Sequence, residues 1–313
     1  MSSTPAVSWS GIFPALTTKF TPDDRLDLKM MERHIANQIK AGVEGLIVLG
    51  SLGENGSLSP GEKQEVVKLA VSVSKGRVPV VACVAETTTS AACRFVETST
   101  ANGADGFMLL PPMRYQSDRR ETMLYLRTVA AASGKPIMLY NNPVAYRIDV
   151  TPDMFAELAA EPKFVAIKES SENVRRVTDI VNLVGDRYRI FVGVDDLALE
   201  SLTVGAVGWV AGLVCAFPRE TVALYRLIKA GKMKEALELY RWFTPLLHLD
   251  VSVKFVQNIK LAEALAGEGT EYVRAPRLPL AGDERTQVTM VIEQALKTRP
   301  RLPEVRQAAE ESH

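Results

Sequence analysis

Short apolar runs alternate with amphipathic segments along most of the chain. Each run is the length of one strand and is rich in Val, Ile and Leu. Runs that are apolar at nearly every position are typical of strands buried on both faces of a parallel sheet. Strands are predicted at residues 11–16, 44–50, 78–84, 104–110, 135–141, 163–168, 188–193 and 207–212.

Each apolar run is followed by a segment in which apolar residues recur every three or four positions, the period of a helix with one buried face. Ser59 before Pro60 and Thr151 before Pro152 are typical helix starts, and Gly42 is a typical C-cap. Helices are predicted at 30–42, 58–74, 88–103, 119–134, 151–160, 173–185, 196–205 and 218–231.

The strict alternation of strands and helices predicts an α/β protein with a parallel sheet and right-handed crossovers. Eight units in about 230 residues match the size of a (β/α)8 TIM barrel. An open doubly wound sheet is the alternative, but no GxGxxG follows an early strand.

The strand pattern stops after residue 231, which divides the chain into two regions. Residues 1–231 are predicted to form the barrel with the active site, and residues 232–313 a C-terminal helical region. Helices are predicted there at 232–249, 252–267 and 286–298. The proline-punctuated, polar tail that starts at Arg299 is predicted to be a loosely held end.

Composition narrows the possible partners and the compartment. The 313 residues include 37 basic and 37 acidic side chains, and this balance gives no electrostatic footprint for nucleic acid or an anionic membrane. No stretch is apolar for the ~18 residues of a membrane helix. The N-terminus lacks the pattern of a signal peptide. These features predict a cytoplasmic protein without nucleic-acid or membrane partners.

Cysteine and histidine chemistry finds little support in the sequence. The cysteines are odd in number and form no CxxC, so we expect reduced thiols: Cys83, Cys93 and Cys215. The histidines show no metal-ligand spacing, and two of them lie in predicted helices: His34, His248 and His313. A histidine-based metal site or a Ser-His-Asp relay is therefore not expected.

A lysine ends the sixth predicted strand. Lys168 follows "FVAI" and precedes Glu169, and the C-terminal strand ends of such a barrel converge on one mouth. An ammonium in a dry pocket loses solvation, so its pKa falls and a free amine becomes available to form a Schiff base with a ketone. The competing interpretation is a structural salt bridge, with Glu169 as the partner.

Other strand ends supply possible helpers for Lys168. Tyr140 is a candidate proton-relay phenol that Ser51 holds in place; the alternative is an aromatic side chain with no chemical role. The "GSLG" turn presents backbone amides suited to a carboxylate, while Glu54 after it is expected to cap the next turn. Candidates for substrate binding are Gly50, Ser51, Leu52, Asn142, Gly193 and Gly212.

The residues just described match a known family. The chain resembles the dihydrodipicolinate synthase and N-acetylneuraminate lyase superfamily, from "GIFPALTTKF" through "GSLGE", "YNNP", "AIKES" and "GVDD" to "GAVGWVAG". The resemblance implies a Schiff-base role for Lys168, a proton relay for Tyr140, and carboxylate binding by the backbone at Ser51 and Leu52. It also implies no metal or organic cofactor and a homo-oligomer, a tetramer or a dimer.

Three departures from the family pattern bear on the substrate. The usual "GTTGE" is "GSLGE" here, so Leu52 replaces a hydroxyl. Ala145 stands where dihydrodipicolinate synthases carry an arginine that clamps a second carboxylate, which counts against that activity; Arg147 lies nearby. Met113 and Arg114 stand where two aromatics are usual, with Tyr115 one step later. This last departure puts the family's inter-subunit relay in doubt.

Several chemistries remain open within this resemblance. The preferred hypothesis is a lyase that eliminates water or ammonia from a 2-oxo acid or its cyclic imine, with 1-pyrroline-4-hydroxy-2-carboxylate deaminase as the first choice, giving 2-oxoglutarate semialdehyde. The alternatives are a 2-keto-3-deoxy-sugar-acid dehydratase, a pyruvate-releasing aldolase or dihydrodipicolinate synthase, and a non-catalytic relative that binds 2-oxo acids. Retention of both Lys168 and Tyr140 weighs against the last of these.

Overall fold

The computed structural model describes residues 7–112 and 115–302. Eight parallel strands form a single sheet in the order β1-β8-β7-β6-β5-β4-β3-β2. A parallel bridge between Ala15 and Ile47 joins the two ends of that order and closes the barrel. The strands are β1 Gly11–Pro14, β2 Leu46–Val48, β3 Val80–Val84, β4 Gly106–Leu109, β5 Ile137–Asn141, β6 Phe164–Glu169, β7 Arg189–Val192 and β8 Gly208–Ala211. The predicted (β/α)8 TIM barrel is confirmed.

Helices separate the strands and continue after the last one. The barrel helices are α1 Leu28–Ala41, α2 Pro60–Ser74, α3 Thr89–Ala101, α4 Arg119–Ala132, α5 Pro143–Tyr146, α6 Pro152–Leu158, α7 Arg175–Val184, α8 Ala198–Thr203 and α9 Pro218–Lys229. The C-terminal helices are α10 Met233–Leu247, α11 Phe255–Ala266 and α12 Gly282–Lys297. None of the helices in the described ranges is both long and apolar enough to cross a membrane.

Local capping explains where several helices begin. The Ser59 side chain accepts from the Glu62 N–H, while the Glu62 carboxylate accepts from the Ser59 N–H, so α2 starts with a capping box before Pro60. The same reciprocal pair starts α4, between Asp118 and Glu121. Gly42 ends α1 in the left-handed conformation, as predicted.

The short helix α5 was not predicted from the sequence. It is a single turn that follows β5 directly, and the Asn142 side chain caps it by accepting from the Ala145 N–H at 2.9 Å. One turn is too short to show a hydrophobic period, so pattern analysis assigned a helix only from residue 151 onward. This turn carries Tyr146 to the mouth of the barrel.

The C-terminal helices pack on the barrel rather than apart from it. Helix α10 packs against α9 and α12, and a 3-10 turn at His248–Asp250 joins it to α11. Helix α11 begins at Phe255, three residues later than the sequence indicated. The connecting turn lies against the turn that follows β7, which brings the C-terminal region to the mouth.

Candidate active site

One large cavity of about 860 Å³ opens at the C-terminal ends of the strands. It is lined by all eight residues that the sequence singled out, although their chemical roles stay predictions: Gly50, Ser51, Leu52, Tyr140, Asn142, Lys168, Gly193 and Gly212. The strand ends converge as expected for this fold. The cavity also takes residues from the C-terminal region, among them Asp250, Phe255 and Arg277.

Lys168 reaches into this cavity without a counter-ion. Only 7% of the residue is exposed, and its Nζ lies 4.0 Å from the centre of the Tyr140 ring. No carboxylate in the described part of the chain lies within 4.0 Å of that Nζ. Burial lowers the pKa of Lys168, because the charged form loses its hydration. The arrangement therefore favours a neutral amine at the end of β6.

The proposed salt bridge between Lys168 and Glu169 is absent. Adjacent side chains of a strand point to opposite faces, so the two groups diverge. The Glu169 carboxylate instead accepts hydrogen bonds from the Ser171 N–H at 2.7 Å and from Asn141 Nδ2 at 3.2 Å.

Gly193 leaves the space that Lys168 occupies. A Cβ built on Gly193 would lie 2.6 Å from Lys168 Cε and 2.1 Å from Ser170 Oγ. Separations this short require a side chain to move. A substitution at Gly193 is therefore expected to displace the Lys168 side chain.

Tyr140 lies beside Lys168, but Ser51 does not hold it. The Tyr140 hydroxyl accepts a hydrogen bond from Asn142 Nδ2 at 3.2 Å, whereas Ser51 Oγ is hydrogen-bonded to the Tyr146 hydroxyl. The expectation that Ser51 holds Tyr140 directly is wrong, because α5 places a second phenol between them. The rings of Tyr140 and Tyr146 lie 5.8 Å apart at 87°.

Both phenols are largely shielded from water. Burial raises the pKa of Tyr140 to about 12 and raises the pKa of Tyr146 as well, since a phenolate would lose its hydration. At neutral pH both hydroxyls hold their protons. They are therefore placed to donate a proton or a hydrogen bond to a substrate oxygen near Lys168.

The turn after β2 presents backbone donors to the cavity. Within the described ranges, the N–H groups of Ser51 and Leu52 have no acceptor, while the Glu54 N–H bonds to the Ser51 carbonyl at 3.1 Å. The turn fits tightly against the segment that follows β1, since a Cβ on Gly53 would lie 2.9 Å from the Leu16 carbonyl oxygen. Free amides in a fixed turn are suited to a carboxylate.

Glu54 does not cap the following turn as expected. Its side chain makes no capping bond there. One carboxylate oxygen lies 2.5 Å from Lys260 Nζ, and the other accepts from the Arg274 N–H at 3.0 Å. Glu54 therefore connects the turn after β2, which lines the cavity, to α11 and to the segment that follows α11.

Asp195 joins the ends of β7 and β8. Its buried carboxylate accepts from Trp209 Nε1 at 2.9 Å, from the Gly212 N–H at 3.1 Å and from the Leu213 N–H at 2.8 Å. Such a fully hydrogen-bonded carboxylate fixes the backbone at Gly212.

Asp250 is a cavity residue that the sequence analysis missed. A Cβ built on Gly212 would lie 2.3 Å from Asp250 Oδ1, so the carboxyl group rests directly on that glycine. Burial raises the pKa of Asp250 well above its usual value, and the nearby Asp195 adds to this. Only a long-range contact brings Asp250 here, and no local pattern in the sequence marks it.

The residues involved in the family departures lie at the rim or beyond it. Met113 and Arg114 lie outside the described residues, and Tyr115 is 58% exposed. Ala145 is exposed at the edge of the cavity, whereas Arg147 is exposed and does not line it.

A second buried cluster lies outside the cavity. The ligand atoms of His34, Cys215 and Glu263 lie within 4.8 Å of one another. Lys19 Nζ lies 2.6 Å from the Glu263 carboxylate and donates to Thr17 Oγ1, also at 2.6 Å. Because the ammonium already neutralises Glu263, the cluster is balanced as an ion pair with a neutral histidine and a thiol.

Comparison with known proteins decides the family. The family model described as the dihydrodipicolinate synthetase family matches residues 8–295. The chain belongs to this family. Its members are class I Schiff-base lyases, so the chain is a lyase by family.

Individual relatives in the dihydrodipicolinate synthetase family agree over nearly the whole chain. An uncharacterised DapA-like lyase from Rhizobium meliloti is 32% identical, covering 87% of this chain and 91% of the relative. Dihydrodipicolinate synthase DapA-2 from Bacillus anthracis superposes with a TM-score of 0.89 at 26% identity, covering 94% and 100%. YagE from E. coli K12, in complex with pyruvate, superposes with a TM-score of 0.87 at 26% identity, covering 93% of this chain and 99% of YagE.

Proposed function

We propose that the protein forms a Schiff base between Lys168 Nζ and C2 of a 2-oxo acid, or of its cyclic imine, and then eliminates water or ammonia. The preferred substrate is 1-pyrroline-4-hydroxy-2-carboxylate, with 2-oxoglutarate semialdehyde as the product. The observation that carries the proposal is the buried Lys168 amine, which has no carboxylate partner and faces a large cavity.

The groups around Lys168 fit the steps of imine formation. The free amides of Ser51 and Leu52 supply donors for the substrate carboxylate. Lys168 attacks C2, and the oxygen on C2 of an open-chain substrate leaves as water after accepting a proton. Tyr140, protonated and next to the amine, is the nearest donor for that proton. The resulting iminium withdraws electrons from C3 and labilises its hydrogen.

A 2-keto-3-deoxy-sugar-acid dehydratase is the second candidate. The cavity of about 860 Å³ is large for a five-membered imine with one carboxylate. An open-chain sugar acid has more hydroxyl groups, and Asn55, Asn142 and Ser252 line the cavity as possible partners for them. Cavity size therefore favours the longer substrate, whereas the sequence features favour the imine.

Dihydrodipicolinate synthase is the activity that the name of one of the related structures carries. That activity needs a cation for a second carboxylate, and Ala145 supplies none. Arg277 lines the cavity, but its Nη1 lies 3.8 Å from Glu54, so a carboxylate already neutralises it in part. Synthase activity therefore ranks behind the two eliminations.

Borohydride trapping with pyruvate tests the Schiff base, and a substrate screen tests the reaction. We expect a reduced adduct on Lys168 by peptide mass spectrometry. The Lys163→Ala variant, altered just before the start of the same strand, serves as the control and should be trapped normally. The screen compares 4-hydroxy-1-pyrroline-2-carboxylate, 2-keto-3-deoxypentonates, pyruvate with aldehydes, and pyruvate with aspartate semialdehyde.

Each outcome has a distinct meaning. A wild-type protein that gives no adduct with any of these compounds would overturn the proposal. An adduct without turnover would indicate a 2-oxo-acid-binding protein. Turnover of the sugar acids in preference to the imine would replace the first candidate by the second.

A further inference from the structure

Asp250 is fixed at the cavity from both sides of its turn. Two residues before Asp250, His248 bonds through Nδ1 to the Asp196 carboxylate at 2.7 Å. After the turn, Asn258 Nδ2 donates to the Leu249 carbonyl at 3.0 Å and to Ser252 Oγ at 3.1 Å. The position of Asp250 is therefore set by α10 and α11 rather than by a free loop.

The Asp250 carboxyl group has no hydrogen-bond partner in the described part of the chain, although it lines the cavity. The contrast with Asp195 is direct, since that carboxylate accepts from Trp209 and from two backbone N–H groups. Asp195 is fully buried, whereas Asp250 is partly exposed and lines the cavity. A substrate bound in the cavity can therefore contact the Asp250 carboxyl group directly.

The contact between Asp250 and Gly212 places the carboxyl two strands from the nucleophile. Gly212 directly follows β8, Gly193 directly follows β7 against the Lys168 side chain, and Lys168 is the last residue but one of β6. Any residue larger than glycine at position 212 would collide with the carboxyl group. The geometry thus brings Asp250 over the same cavity as the reacting carbon atoms.

The surroundings of Asp250 suit proton exchange. Burial, Asp195 and Asp196 raise the pKa of Asp250, while Lys168 in its protonated form opposes the rise. A carboxyl group with a raised pKa is able both to accept and to return a proton at moderate pH.

We propose that Asp250 is the acid–base group of the elimination, taking the proton from C3 and delivering it to the hydroxyl that leaves C4. This inference rests on the Schiff-base function proposed above. It gives Asp250 a role that Tyr140 does not fill, because Tyr140 acts at the C2 oxygen.

The electron and proton count of this step closes. The C3–H electron pair forms the C2=C3 bond of an enamine, the iminium nitrogen recovers its lone pair, and the Asp250 carboxylate gains the proton. The nitrogen lone pair then returns through C2 and C3, the C4–O bond breaks, and C3=C4 forms. The departing oxygen takes the proton from Asp250 and leaves as water, so Asp250 ends as the carboxylate with which it began.

The test separates imine formation from proton transfer at C3. With pyruvate as the probe, borohydride trapping reports the imine, and deuterium uptake into the methyl group in D2O reports C3 proton transfer. For Asp250→Asn we expect trapping within about 2-fold of wild type and deuterium uptake reduced by at least about 10²-fold. The thermal melt should stay close to that of wild type, because Asn has nearly the same shape as Asp and the Asp250 side chain makes no hydrogen bond in the described part of the chain that the change would break.

Asp186→Asn is the matched control, since it makes the same substitution at an exposed carboxylate that does not line the cavity. It should keep both trapping and deuterium uptake. Near wild-type uptake in Asp250→Asn would overturn the assignment while leaving the Schiff base intact. Equal losses of trapping and uptake, with an altered pH dependence of trapping, would also overturn it, because they would show Asp250 acting only through the charge of Lys168. A wild-type protein that is not trapped overturns both proposals.

Discussion

Two regions of the molecule bury lysine in opposite ways. In the layer between the barrel and α11, Lys19 lies 2.6 Å from Glu263 and Lys260 lies 2.5 Å from Glu54, with all four side chains fully buried. At the mouth, Lys168 is almost as buried but has no carboxylate within ion-pair distance among the described residues. The ion pairs stabilise the charged ammonium groups of Lys19 and Lys260, whereas the unpaired setting at the mouth favours the neutral amine of Lys168.

Desolvation alone does not distinguish the two regions. Burial lowers the pKa of Lys168, and it also lowers the pKa of Lys260 to about 8 even though Glu54 opposes the shift. The partner makes the difference, because an ammonium held by a carboxylate has no free electron pair to offer. A buried lysine therefore indicates a nucleophile only when no counter-ion accompanies it.

The largest expected effect is on turnover when Lys168 is removed. Lys168→Ala should lower kcat by at least ~10⁴-fold, since no covalent intermediate forms. The melting temperature should stay the same or rise, because a desolvated amine is lost without orphaning a partner. Steady-state kinetics and a thermal melt check this. Activity within tenfold of wild type, an effect of about 1.4 kcal/mol, would show that Lys168 is not the nucleophile and that it does not differ in role from the paired lysines.

Lys260→Ala should lower the stability of the fold while leaving Schiff-base formation intact, the reverse of Lys168→Ala. It leaves the Glu54 carboxylate buried with the Arg274 N–H at 3.0 Å and the more distant Arg277 guanidinium at 3.8 Å, so we expect a loss of about 3–5 kcal/mol in the free energy of unfolding. Urea denaturation measures it. The folded variant should still be trapped by pyruvate and borohydride.

The double variant Glu54→Gln/Lys260→Met is the control for this loss. It removes both charges together and should recover most of the stability, since a buried pair is often replaceable by neutral groups. A loss below about 1 kcal/mol for Lys260→Ala alone would mean that the paired lysine is not structural.

Tyr140→Phe is expected to slow turnover by about 10²–10³-fold while leaving the adduct with pyruvate detectable. The hydroxyl supplies a proton, whereas the amine still attacks C2 without it. The accumulation of reduced adduct against time separates the rate of imine formation from its extent. A variant with an unchanged rate would exclude Tyr140 from proton transfer.

The pH dependence of trapping reports the state of Lys168 directly. Burial places the pKa of Lys168 below the ordinary 10.5, so the fraction of free amine rises with pH and levels off before that value. The initial trapping rate should rise up to about tenfold per pH unit on the acid side and reach a plateau below pH 10.5. A rate still rising at pH 10.5 would indicate an ordinary, solvated lysine.

The sequence predicted the barrel and the eight lining residues because both depend on local order. Apolar runs define the strands, and the fold fixes where their ends meet. The counter-ions escaped prediction, since Glu54 and Lys260 are 206 residues apart and no local pattern links them. Tyr146 and Asp250 were missed for related reasons. A one-turn helix places the first, and the packing of α10 and α11 places the second.

Substitution of Tyr146 is expected to have the smallest effect on turnover, and it tests the hydrogen bond between Tyr146 and Ser51. Its hydroxyl joins Ser51, and its ring stands edge-on to Tyr140. It lies within the same chain, so any relay through it needs no partner subunit. Tyr146→Phe should lower kcat by about 3- to 10-fold, since Tyr140 keeps its bond from Asn142.

Ser51→Ala removes the other partner of the hydrogen bond between Ser51 and Tyr146 and should give a similar loss. The double variant should lose little more than either single variant, because both changes break the same contact. Fully additive losses in that cycle would show that Ser51 and Tyr146 act on the substrate separately.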